Sequence, residues 1–191
     1  MKNIFLTKDI KDIVSNFKNG QVGIFPTDTI YGLGGRSDKL SVIKKVYTLK
    51  KRAKNKPLLI LVSSITMAKR YVKMNKKQEE FLKKYWPGKL TSILESNGLL
   101  PKELSSGSGK IGIRLPDNKF LLNIIRSLGT PLIATSANIS GQNNVLDIED
   151  VKFKIDFIVD GGKLAISKES TVVDLTGVEM KVLRQGAVIV K

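Results

Sequence analysis

The spacing of apolar residues supplies the elements of this chain before anything else does. Ile10, Ile13, Val14 and Phe17 fall at i, i+3, i+4 and i+7, which predicts a helix with Thr7 as N-cap and Gly20 at its end. Val22 to Phe25 is a short apolar run closed by Pro26 and reads as a strand. Leu40, Ile43, Val46 and Tyr47 make a second helix, capped by Ser37, and Pro57 opens a strand that runs through Val62. Two lysine-rich helices follow at 64–73 and 76–85 before Trp86-Pro87-Gly88 breaks the pattern, and Leu90 to Leu94 reads as a strand. Residues 96–110, with Ser105-Ser106-Gly107-Ser108-Gly109, form the most loop-like stretch. Ile111 to Leu115 is a strand, and Leu121, Leu122, Ile125 and Leu128 give a helix ended by Gly129. Further strands are expected at 131–135, 156–159, 171–175, 181–184 and 187–190. Strands alternate with helices early and dominate late, which predicts a layered α/β fold with a mixed sheet.

Length and composition fit that picture. At about 150 residues per domain, 191 residues read as one compact domain, residues 1–191. Apolar residues at 41% and charged residues at 26% are ordinary for a globular protein. The start, Met1 to Asp9, has too short an apolar run for a signal peptide, and no apolar stretch is long enough to span a bilayer, so a cytoplasmic protein with no membrane partner is expected.

Two absences narrow the chemistry. With no cysteine, thiolate nucleophiles, iron–sulfur clusters and Cys-based zinc sites are excluded. With no histidine, so are Ser-His-Asp triads, His-ligated metals and imidazole acid–base steps. An enzyme built from this chain works with Lys, Arg, hydroxyls, carboxylates, amides and the backbone. Lys and Arg number 33 against 17 acidic residues, a net charge of +16, and a field of that sign attracts nucleotides or RNA. Aromatic residues are only 6%, few for stacking bases.

Six segments carry candidate chemistry. Gly32-Leu33-Gly34-Gly35 follows a strand but does not fit G-x-G-x-x-G, so it reads more readily as a tight turn than as a phosphate site. In Pro26-Thr27-Asp28-Thr29-Ile30-Tyr31, two hydroxyls and a phenol alternate at a strand end, a common ligand position, and in extended backbone they share one face. Lys50-Lys51-Arg52-Ala53-Lys54-Asn55-Lys56 is a cationic run at a helix-to-strand junction, suited to phosphate or merely solvated. Thr135-Ser136-Ala137-Asn138-Ile139-Ser140-Gly141 puts small polar residues directly after a strand, where a ligand can approach the backbone. Glu169-Ser170-Thr171 and Arg184-Gln185-Gly186-Ala187 close the set.

In this order, from about Val22 to Ala187, the chain resembles the YrdC/Sua5 family of threonylcarbamoyl-AMP synthases. The matching pieces are Pro26 to Gly34, the Lys-x-Arg of Lys50 and Arg52, Trp86-Pro87-Gly88, Ile113-Arg114-Leu115-Pro116, residues 135–141, Glu169 to Asp174 and Arg184 to Ala187. The resemblance implies a single-domain YrdC-like α/β fold, a twisted open mixed sheet with flanking helices, in the family's short form. It implies one reaction, in which L-threonine, bicarbonate and ATP give L-threonylcarbamoyladenylate and pyrophosphate. A downstream transferase complex then modifies the adenosine 3′ of the anticodon in tRNAs reading A-starting codons.

Carried over residue by residue, the resemblance places L-threonine against Thr29, Tyr31, Arg114, Ser136 and Ser170. It places ATP against Lys50, Arg52, Lys56, Asn138 and Arg184, with Lys50 and Arg52 catalytic. Mg2+ arrives on the ATP phosphates with no protein ligand assigned, and contact with tRNA or other RNA falls to the basic surface. The chain departs from the family pattern at Leu61, where longer relatives have histidine, at Lys110, where a hydroxyl residue is usual, and at Gln142 to Leu146. Two other readings stay open at this point: an RNA-binding module without chemistry, and another carbamoyl-adenylate transferase or hydrolase on the same fold.

Overall fold

The protein is described here by a computed structural model covering residues 3–139, 144–151 and 154–191. In chain order its elements are β1 (Asn3–Leu6), α1 (Ile10–Lys18), β2 (Gly23–Phe25), β3 (Gly32–Gly34), α2 (Leu40–Leu49), β4 (Leu59–Leu61), α3 (Ile65–Tyr71) and α4 (Lys76–Lys83). Then come β5 (Leu90–Glu95), β6 (Lys110–Arg114), α5 (Lys119–Leu128), β7 (Leu132–Ile133), β8 (Thr135–Ser136), β9 (Phe157–Asp160), β10 (Thr171–Asp174) and β11 (Lys181–Arg184). The expected α/β class and mixed pairing hold, but the strands divide between two sheets, ordered β1-β9-β2-β3-β8 and β11-β10-β5-β6-β4-β7.

The division has a local cause. β7 pairs with β4 in one sheet, and β8, only one residue later, pairs with β3 in the other. The chain therefore crosses between sheets at Ala134, and the expected single strand over 131–135 is split there. Gly34 permits the crossing: a Cβ at this position would lie 1.7 Å from the Ile133 carbonyl oxygen. Gly34→Ala should therefore push β3 off its neighbours and lower stability by at least about 3 kcal/mol, read as a fall in the urea midpoint.

The apolar periodicity is realised as packing. Ile13, Val14 and Phe17 of α1 meet Leu121, Ile124, Ile125 and Leu128 of α5 over the first sheet. Phe17 packs edge-on against Phe25 and Phe157, with ring centroids 5.9 and 5.0 Å apart. The other core joins Val42, Ile43 and Val46 of α2 to Leu90, Leu94, Ile111 and Ile113 of the second sheet.

Several local expectations are corrected. The cap of α1 is Asp9, not Thr7, and its carboxylate accepts from the Leu6 N–H at 2.8 Å. The cap of α2 is Lys39, because Ser37 is fully buried and donates to the Pro131 carbonyl at 2.9 Å. Residues 187–190 form no strand: the Val188 N–H and carbonyl are taken by the Thr171 hydroxyl instead of a ladder. Within the loop-like stretch, Lys102–Ser105 is a 3-10 turn. β1 and β3 have no counterpart in the sequence pattern, β1 because its residues stay mostly exposed and β3 because its glycines read as a turn. Among the described residues, no helix is long and apolar enough to cross a membrane.

Candidate active site

The two sheets meet around a cavity of about 200 Å3 that draws side chains from both. Gly32, Thr135 and Ser136 come from the first sheet, and Leu59, Leu61, Arg114 and Arg184 from the second. Thr27, Thr29, Arg52, Glu169 and Ser170 come from connecting segments. A second chamber of about 320 Å3 continues from it, sharing Arg52, Leu59, Thr135 and Arg184 and adding Thr91, Lys110 and Asp174.

Thr29 is positioned by its neighbour. The Thr27 hydroxyl donates to the Ile30 carbonyl at 2.6 Å and accepts from the Thr29 and Ile30 N–H groups at 3.0 and 3.2 Å, so it closes a turn. The backbone here is bent, and Thr27, Thr29 and Tyr31 do not share one face as extended chain would require. The Tyr31 phenol instead donates to the Gly162 carbonyl at 2.7 Å and accepts from the Gly161 N–H at 3.0 Å. It lies off the cavity wall, and burial raises its pKa.

Arg114 ends β6 and is 6% exposed. Its Nη2 pairs with Asp28 Oδ1 at 2.5 Å, and its Nε donates to the Gly88 carbonyl at 2.9 Å. Burial lowers its pKa while Asp28 opposes the shift, so the pair keeps a guanidinium charged in a dry wall. The sequence assigns Asp28 no role; a carboxylate between two threonines signals nothing until the fold sets it against Arg114.

Lys50, at the end of α2, is 1% exposed and reaches across to the segment after β8. Its ammonium donates to Ser136 O at 2.5 Å and to Asn138 O and Oδ1 at 2.8 and 2.9 Å, with Ser136 Oγ at 3.3 Å. Burial first, then the Arg52 guanidinium, pulls its pKa from 10.5 to about 8, with Glu169 opposing. Lys50 and Ser136 are not arranged as base and nucleophile, because Ser136 Oγ donates to Asn138 Oδ1 at 2.6 Å and the amine is shared among the loop's oxygens. Ser140 and Gly141 of this motif, with Gln142 and Asn143 after it, lie outside the described residues.

Arg52 is fixed by its own loop. Its Nε donates to the Lys56 carbonyl at 3.0 Å and its Nη2 to the Pro57 carbonyl at 2.9 Å, which leaves N–H donors of the fork for a ligand. Lys56 thus contributes its carbonyl; its side chain is exposed and off the wall. Opposite, Arg184 pairs with Glu169 and donates through Nη2 to the Ser170 carbonyl at 2.8 Å. Ser170, 4% exposed, shares a hydrogen bond of 2.8 Å with Thr91. Lys110 reaches Thr176 Oγ1 at 2.6 Å and Asp174 Oδ2 at 3.4 Å in the second chamber.

The structure therefore brings Thr29, Arg52, Arg114, Ser136, Ser170 and Arg184 to one wall, with Lys50 and Asn138 directly behind Ser136. Three guanidinium groups (Arg52, Arg114 and Arg184) line the wall, with the Lys50 ammonium buried behind it, against two carboxylates (Asp28 and Glu169). Such a surface binds anions and stabilises charge on phosphate, with hydroxyls and the apolar Leu59, Leu61 and Ala134 available for a small polar molecule with a methyl group.

The Sua5/YciO/YrdC family model, described as "Telomere recombination", matches residues 15–186. The threonylcarbamoyl-AMP synthase of Pyrococcus abyssi is 34% identical over 174 residues, covering 88% of this chain and 51% of that relative. The structure of P. abyssi Sua5 complexed with L-threonine superimposes with a TM-score of 0.90 at 30% identity, over 97% of this chain and 57% of that one. E. coli YciO superimposes with a TM-score of 0.91 at 25% identity, over 100% of this chain and 98% of that one. This chain spans about half the length of the first relative and nearly all of YciO.

Proposed function

Because the chain belongs to the Sua5/YciO/YrdC family, we propose that it makes L-threonylcarbamoyladenylate and pyrophosphate from L-threonine, bicarbonate and ATP. The observation that carries this reading is the pair of joined chambers, one lined by hydroxyls and Arg114, the other bounded by Arg52 and Arg184. L-threonine sits in the first, its polar groups against Thr29, Ser136, Ser170 and Arg114 and its methyl against Leu61. ATP lies toward Arg52, Arg184, Asn138 and Lys50. Tyr31 and Lys56 serve by holding backbone, not by touching substrate.

The threonine amine forms a C–N bond with bicarbonate carbon, and a proton and hydroxyl leave as water. An oxygen of the resulting carbamate attacks the α-phosphorus, and the bond to the bridging oxygen breaks as pyrophosphate departs. The nucleophile arrives with the substrate, so no side-chain nucleophile is required. Arg52 and Arg184 balance charge moving toward the leaving group, and holding the two reactants in register can lower the barrier by about 7–11 kcal/mol. ATP is taken as its Mg2+ complex; among the described residues, no group of three or more His, Cys, Asp or Glu side chains could hold a metal by itself. The product then passes to a transferase acting on tRNA, and the excess of basic residues suits RNA contact.

The test is ATP-to-pyrophosphate conversion with threonine and bicarbonate omitted in turn: turnover should need both, and release without either one contradicts the reading. The pH profile gives a second check. If the Lys50 ammonium must hold the Ser136–Asn138 segment, kcat/KM should fall as pH rises through about 8. Stability should not fall with it, because between about 8 and 10.5 the unfolded chain binds this proton more tightly, so the Lys50 contribution to folding rises with pH. Thermal melts recorded beside the rates separate the two effects.

A further inference from the structure

A cavity of about 680 Å3, larger than either chamber and sharing no residue with them, opens between α2 and the 3-10 turn Lys102–Ser105. Its size lies in the range of small-molecule sites. Its floor is the exposed edge of Tyr47 of α2, 8% accessible, with Ile43 fully buried. The Tyr47 hydroxyl is already engaged, donating to the Lys56 carbonyl at 2.9 Å and lying 3.2 Å from Ser106 Oγ, so the ring offers apolar surface.

The rim is cationic. Lys44 from α2, Lys54 from the following loop and Lys102 from the 3-10 turn converge on it from three segments, against the single carboxylate of Glu103. The walls are preformed: Gly107 N–H donates to Lys102 O at 3.0 Å, and Leu58 N–H to Leu104 O at 2.9 Å. Ser106, on the wall, closes the 3-10 turn as its cap in a left-handed backbone at φ +52°.

We propose that this cavity is a binding site for a small amphipathic organic anion, an apolar body with one carboxylate, sulfonate or phosphate. The body lies on Tyr47 and the aliphatic stems of the rim lysines, and the acid group meets their ammonium groups. A nucleic-acid strand fits less well, since its charge would meet the rim and leave the apolar floor unfilled.

The test is fluorescence titration of the full chain with anilinonaphthalene sulfonate, an aromatic body bearing one sulfonate, in competition with decanoate. The wild-type chain should bind the dye, and decanoate should displace it. Lys54→Glu/Lys102→Glu should weaken binding about tenfold or more, and Lys44→Glu, on a different segment, should weaken it in the same direction. Arg184→Ala, on β11 and bordering only the joined chambers, should leave dye affinity unchanged, which separates this cavity from them. No dye binding, equal affinity in the charge-reversed variants, loss of binding in Arg184→Ala, or displacement by a short single-stranded oligonucleotide but not by decanoate would each overturn the assignment.

Discussion

Arg52→Ala should lower kcat/KM for threonine-dependent pyrophosphate release by about a thousandfold and leave the fold intact. The magnitude follows from the work assigned to the side chain: an arginine meeting transition-state charge in phosphoryl chemistry is worth about 10³–10⁵. Arg52 borders both chambers, and the carbonyls of Lys56 and Pro57 fix its fork before any ligand arrives. Removing it hands the carbonyls of the exposed Lys56 and Pro57 to water, which replaces the lost donors, so the melting temperature should move little. Arg52→Lys keeps charge but loses the fork, and should fall between wild type and alanine. Steady-state rates on the three proteins check this, and near-normal turnover in Arg52→Ala would count heavily against the reading.

Lys50→Met should damage activity and stability together. The ammonium is the shared partner of two buried carbonyls and the Asn138 amide oxygen. A thioether of similar length removes the donor from both carbonyls, at about 1–3 kcal/mol apiece before water relieves them, while Asn138 Oδ1 keeps its bond from Ser136 Oγ; a net loss of about 3 kcal/mol is expected. For a chain of this size that is roughly 6–12 °C in melting temperature. The Ser136–Asn138 segment would then drift, and Ser136 would leave the wall it shares with Thr29 and Arg114. The contrast is diagnostic: Arg52 should affect rate alone, and Lys50 both rate and melt, read by calorimetry beside the assay.

Much of this was legible in the sequence. The spacing of Ile13, Val14 and Phe17, and of Leu121, Ile125 and Leu128, marked α1 and α5 because buried helix faces repeat every three to four residues; Gly129 ended α5 in a left-handed turn as expected. Six expected contacts reached the cavity wall since the small polar and cationic segments end strands or helices there. Other features depend on partners far away in the chain. β3 needs β2 and β8 on either side before its glycines read as a strand, and Asp28 matters only once β6 sets Arg114 beside it. Alternation suggested a site role for Tyr31, but the bend closed by Thr27 turns its phenol to Gly161 and Gly162. The lysine-rimmed cavity left no signal, since Lys44, Lys54 and Lys102 are scattered among many solvated lysines until α2 and the 3-10 turn meet.

All of these effects converge on one claim, that a carbamate made from threonine is adenylated where the two sheets meet. The direct measurement is mass spectrometry of the product formed from ATP, L-threonine and carbon-13 bicarbonate, with pyrophosphate counted in parallel. One labelled carbon in a threonine-bearing adenylate, formed one for one with pyrophosphate and lost in Arg52→Ala, is the predicted result. Pyrophosphate accompanied by unlabelled adenylate, or a labelled product undiminished in Arg52→Ala, would contradict it.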